Sequence, residues 1–249
     1  MANKGHAIDF YLELAAGGIP KHTGINKFGL NTDIDTSSDP ETIWSAGGLV
    51  TFPTASAALS VVSDDVNDDE GSTGAEKIKV FGLDADYKLI EEEITLNGTS
   101  AVASTVYTNW LRVYRAIVTK AGSSAYNEGN ITITIGGTTV AHVPAEYGQS
   151  QQAVYSVPAS HEAYITNFSG AIVRSGSNRH ATLGLYLKKD GVQRLIQELA
   201  VESSGSTTVN KTFSIPIKIE EKTDIYVNAL EVSSNNTNIF ANFGLVLTS

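Results

Sequence analysis

A period of two runs through most of this chain. Lys77–Phe81 alternates polar and apolar residues, the pattern of a half-buried strand. In Tyr87–Leu96, Ile90, Ile94 and Leu96 share a face with Glu92, while Glu91 and Glu93 take the other. Further strands are predicted over Ala58–Ser63, Ala101–Val106, Trp110–Thr119, Asn130–Ile135 and Thr138–Val143. Beyond the polar stretch Glu146–Gln151 they resume over Ala153–Val157, Ala163–Arg174, Ala181–Leu187, Val192–Val201, Thr207–Ile219, Asp224–Val232 and Asn238–Leu247. Asn97-Gly98, Gly136-Gly137 and Asp190-Gly191 tolerate positive φ and read as hairpin turns. Helical spacing occurs only over Ala7–Ala16, where Gly17-Gly18 stops it. The expected architecture is all-β: two antiparallel β-sandwich, jelly-roll-like regions, residues 54–148 and 149–249, behind an extended N-terminal arm of residues 1–53.

That arm is read from residues 17–53, which break the alternation. The segment is rich in Gly, Thr, Asn and Asp and carries isolated large apolar residues, among them Ile19, Ile25, Phe28, Leu30, Ile34, Ile43, Trp44 and Phe52. Structureless loops of this length are uncommon inside compact domains. Two readings fit: an arm that docks these residues into a neighbouring subunit, or a segment that covers its own sandwich. On the first reading the partner-contact residues are Phe10, Tyr11, Leu12, Leu14, Ile19, Phe28 and Leu30. Trp44, beside Gly47-Gly48, is a further candidate anchor, whereas Trp110 lies within a strand and belongs to a core.

Composition narrows the function classes. At 249 residues the chain can bury a sizeable core without staples. Its 17 Lys+Arg against 27 Asp+Glu leave a net charge of −10, so neither nucleic acid nor an anionic membrane is expected as a partner. The absence of cysteine excludes disulfides, thiolate metal sites and Cys nucleophiles. No apolar run is long enough to span a membrane, and no basic n-region leads into an apolar core, which predicts that the classical secretory route is not used. Only 18% of residues are charged, so Ser, Thr, Asn and Gly supply much of the surface.

Candidate chemistry is sparse. Asp65, Asn67, Asp69 and Glu76 have the spacing of a calcium loop, but Glu70 stands where that loop needs glycine; a solvated acidic hairpin tip fits as well. The five histidines form no HxH or HExxH pair, and GxSxG and phosphate-binding glycine motifs are absent. Glu91 and Glu93 can share a strand face, as a paired-carboxylate glycosidase site or as an ordinary solvent face. No catalytic residue, metal or cofactor is assigned.

Several stretches carry a family resemblance. Val80–Tyr87 continuing to Ile94–Thr99, Asn31–Thr36 with Ile43–Gly48, and Pro158-Ala159 followed by Ala163–Asn167 and Ser233–Thr237 resemble segments of virion structural proteins of tailed bacteriophages, especially marine and cyanobacterial ones. The resemblance touches most of the chain, but through turn and strand signatures rather than chemistry. It implies a non-enzymatic decoration or cement protein that binds the major capsid protein and copies of itself; a trimer would suit capsid symmetry. It also implies assembly in bacterial cytoplasm and release by lysis as part of the virion. A tail or head–tail component, including a short fibre, is the alternative in the same setting; a carbohydrate-binding or carbohydrate-active module is the alternative outside it.

Overall fold

The computed structural model describes residues 9–37, 40–174, 179–203 and 208–249. A short helix, α1 (Phe10–Ala15), leads into β1 (His22–Ile34), β2 (Glu41–Thr42), β3 (Leu59–Ser63), β4 (Ala75–Asp84) and β5 (Leu89–Thr95). Next come β6 (Val102–Ala103), β7 (Trp110–Ala121), β8 (Ile131–Ile135), β9 (Thr138–Val143), β10 (Val154–Ser156) and β11 (Glu162–Arg174). The chain finishes with β12 (His180–Lys189), β13 (Val192–Glu202), β14 (Val209–Ile219), β15 (Asp224–Val232) and β16 (Thr237–Thr248). The fold is all-β and its ladders are antiparallel. Among the described residues no helix is long and apolar enough to cross a membrane.

Two hydrophobic cores organise the strands. One lies between the sheet β1-β16-β11-β14 and the sheet β10-β15-β12-β13, on which β2 continues the edge beside β15. Alternation builds it: along β16, Ile239, Ala241, Phe243, Leu245 and Leu247 are all buried. Phe168 and Phe243 are fully enclosed there, each burial stabilising by about 2–3 kcal/mol. The other core lies between β6-β3-β8-β9 and β5-β4-β7, with Trp110 fully buried in it. In β5 the buried positions are Ile90, Glu92 and Ile94. The Glu92 carboxylate accepts from the backbone N–H groups of Thr105, Val106 and Tyr107 at 2.7, 3.0 and 3.1 Å, which offsets its loss of water. The expected turns at Gly136-Gly137 and Asp190-Gly191 join β8 to β9 and β12 to β13, all four residues at positive φ.

Of the two readings of the N-terminal segment, the structure takes the second: it is mostly built into the second sandwich. Residues 1–8 lie outside the described residues, but β1 pairs along its length with β16, from His22 opposite Thr248 to Ile34 opposite Thr237. Ile34 and Ile43 are fully buried in the first-named core. The physical reason is the edge of β16, whose backbone groups need a partner that β1 supplies. Trp44 is not an exposed anchor either; it is buried, and its indole N–H donates to the carbonyls of Gly47 and Gly48. Asn97-Gly98 also departs from expectation: the chain does not return beside β5, because β6 pairs with β3 in the facing sheet.

Candidate partner-binding surface

The surface centres on α1, which packs outside β1. Asp9 caps the helix, its Oδ1 accepting from Tyr11 N at 2.8 Å and Leu12 N at 3.3 Å. At the other end Gly17, at φ 73°, donates to Leu14 O and Gly18 to Glu13 O, closing the helix in a Schellman turn. Leu14 is buried and fixes the helix to β1 at Gly24, where an added Cβ would lie 3.3 Å from the leucine Cδ2. A six-residue helix has little intrinsic stability, so these caps and this one contact hold it.

Fixed in that way, α1 turns Phe10, Tyr11 and Leu12 to solvent, 49, 59 and 67% exposed. Phe10 and Tyr11 meet edge to face at 5.4 Å. Beside them a cleft of about 470 Å³ is lined by Tyr164, Pro216, Val246 and His22. Pro216 belongs to a bulge in the edge strand β14, where Phe213–Pro216 stand opposite Thr166 alone and Ile215 is 86% exposed. Lys218 and Glu162 form an ion pair of 2.6 Å close to Tyr164. Glu162 is held below the usual carboxylate range by Lys218 first and by the Tyr164 hydroxyl second; the same carboxylate raises Tyr164.

Of the seven residues expected at the contact, the structure brings Phe10 and Tyr11 to this cleft, with Leu12 beside them on the helix. Leu14 is spent on holding the helix, and Ile19 is half-buried. Phe28 and Leu30 are half-buried further along β1, opposite Asn242 and Phe240 of β16. Tyr164, Val246 and Ile215 went unrecognised in sequence because they come from strands far apart in the chain. Pro216 was the one available signal, since proline within a strand pattern marks an edge or a bulge.

The other sequence candidates take ordinary structural roles. Asp68 is fully buried and accepts from Ala75 N, Glu128 N, Gly129 N and the Ser63 hydroxyl, tying the acidic loop down. Among the expected calcium ligands, Asp65 caps Asn67 N, Asp69 caps Glu70 N, and Glu76 pairs with Lys120 at 2.6 Å. Among the described residues no three acidic or histidine side chains come together as a metal site. Glu91 and Glu93 pair with Lys79 and Lys77 at 2.6 and 3.5 Å. His142 is lowered by burial, against a smaller opposing effect of Asp64, and its Nδ1 meets the Ser45 hydroxyl at 3.1 Å.

No protein-family model matches the chain, and no curated protein is similar to it. Solved structures of infectious bursal disease virus superimpose on it with low scores. The Gt strain gives a TM-score of 0.25 at 12% identity over 97% of this chain and 76% of that one. The T13 particle gives 0.24 at 9% identity over 92 and 69%, and virus-derived T=1 particles give 0.25 at 13% over 92 and 70%. Superpositions at this level do not establish a common architecture.

Proposed function

We propose that this chain is a non-enzymatic virion structural protein of a tailed bacteriophage that decorates or cements the head, with Phe10 and Leu12 docking on the major capsid protein. The observation that carries the reading is the exposure of three consecutive large apolar residues, Phe10, Tyr11 and Leu12, on a helix that is capped at both ends and fixed by Leu14. Apolar side chains held out by a rigid scaffold lose little entropy on binding, as interface anchors require. The ion-paired Glu91 and Glu93 support a binding role over a hydrolytic one. Self-association as a trimer, and residence in the virion after assembly in the host cytoplasm, belong to the same proposal.

The test is attachment of the purified protein to heads that lack it. Phe10→Ser/Leu12→Ser leaves both cores intact, so its melting temperature should stay near that of the parent while attachment falls by at least about tenfold. Attachment surviving this double change overturns the docking assignment. Quantitative mass spectrometry of virions tests the location. Copies in a simple ratio to the major capsid protein support decoration; a handful per particle transfers the protein to the tail or head–tail junction, and absence from particles overturns the virion reading.

A further inference from the structure

The outer face of β1-β16-β11-β14 carries a second feature, adjoining the cleft at Pro216 and sharing Tyr11, Thr166 and Val246 with it. Strand register places Asn26, Gly244, Asn167 and Thr212 in one row across the four strands. The next row is Phe28, Asn242, Ser169 and Asn210. None of these eight residues ionises. Neighbouring strands stand about 4.8 Å apart, so the first row spans roughly 14 Å. Gly244 lets the Asn167 carboxamide lie against the backbone, for a Cβ there would lie 2.4 Å from Asn167 Oδ1 and 3.3 Å from Asn26 Oδ1. Two carboxamides therefore overhang a floor of bare backbone. With the α1 side as one wall they enclose a cleft of about 440 Å³, lined by Tyr11, Asn26, Asn167 and Asn210 among others.

We infer that this cleft binds a neutral saccharide unit. A carboxamide offers donors and acceptors together, which suits hydroxyl groups that do the same. The amides are available: among the described residues Asn26 and Asn210 have no side-chain hydrogen-bond partner, and Asn167 only accepts, from Thr166 Oγ1 at 3.2 Å. Tyr11 supplies an aromatic wall for the apolar face of a sugar ring. The volume lies within the range of small-molecule sites. No carboxylate or ammonium lines the cleft, and a chain of net charge −10 repels anionic ligands, so an uncharged polyol fits better than a phosphate or an acidic sugar. This site does not depend on capsid docking.

Ligand-observed NMR on the intact chain tests it, with glucose, galactose, mannose, N-acetylglucosamine, maltose and cellobiose as probes. At least one should bind with millimolar affinity, and Asn26→Ala/Asn210→Ala should weaken it about tenfold, the loss expected for two hydrogen bonds. Both asparagines are exposed, so the double variant should keep its fold. Gly244→Ala is the second probe: its methyl group pushes the Asn167 carboxamide off the Gly244 backbone and should weaken the same sugar. Leu12→Ser, at a position that lines neither cleft, should leave sugar binding unchanged while it weakens docking, separating this site from the docking residues. The inference fails if no probe binds at up to about 50 mM, or if binding ignores both asparagines. It also fails if the asparagine change alters only the sedimentation state, for the face is then a contact between protein chains.

Discussion

Lys27 sits where its charge is unwelcome. It points inward from β1, is buried, and donates its ammonium to the Tyr114 carbonyl. Burial, and then the nearby Arg115, bring its pKa down to about 7 from 10.5. Between those values the unfolded chain binds the proton and the folded chain does not, so stability rises with pH from about 7 towards 10.5. Burial also raises the hydroxyls of Tyr114 and Tyr226 to about 12, and they act in the opposite sense. Their contribution is full below pH 10, the free tyrosine value, and is lost as pH climbs towards 12. Urea unfolding between pH 7 and 9.5 isolates the lysine. The parent should gain on the order of a few kcal/mol across that window, and Lys27→Met should be flat. Equal slopes in the two proteins would show that Lys27 is solvated.

At the scale of elements, the helix depends on the absence of a side chain at Gly24. Gly24→Val places methyl groups where Leu14 lies, while β-branching keeps β1 extended. The amides of Tyr11–Ala15 should lose hydrogen-exchange protection, with the melting temperature falling by no more than a few degrees because both cores are untouched. Unchanged protection would mean that α1 is held by something other than Leu14. Other elements show how far sequence reaches. β8 reads directly as a strand, because Ile131, Ile133 and Ile135 all enter a core and Gly136-Gly137 follows. β1 hides, because Lys27, Gly29 and Asn31 occupy its inward positions. An added Cβ at Gly29 would lie 2.1 Å from Ile43 O, and Asn31 donates to Glu41 and Thr42, so this face meets backbone and polar groups instead of the core. No alternation could mark it. The proposed docking surface was legible only in Phe10, Tyr11 and Leu12; the strand residues around it are gathered by pairing that no local pattern encodes.

In the molecule as a whole, the two sandwiches are joined through β7. Arg112 and Asp224 are both buried, and the guanidinium donates to the carboxylate twice, at 2.8 and 3.0 Å. The same side chain reaches Pro53 O and the Tyr87 hydroxyl, and lies 5.2 Å over Phe52. Removing one partner strands the other charge away from water. Arg112→Ala should cost about 3–5 kcal/mol in urea unfolding, and Arg112→Met/Asp224→Leu should recover much of it. A loss below about 1 kcal/mol for Arg112→Ala would mean that solvent reaches the pair.

The ladder between β1 and β16 links nearly opposite ends of the described chain. During synthesis His22 leaves the ribosome long before Thr248 exists, so one sandwich cannot close until β16 has been made. The core between Leu59 and Val143 is complete much earlier and has local hairpins to start from. The molecule should therefore mature from its middle outwards, with its first strand waiting for its last. Pulse-labelled exchange on arrested nascent chains should find β3 to β9 protected while β1 remains open, and simultaneous protection of both would contradict that order.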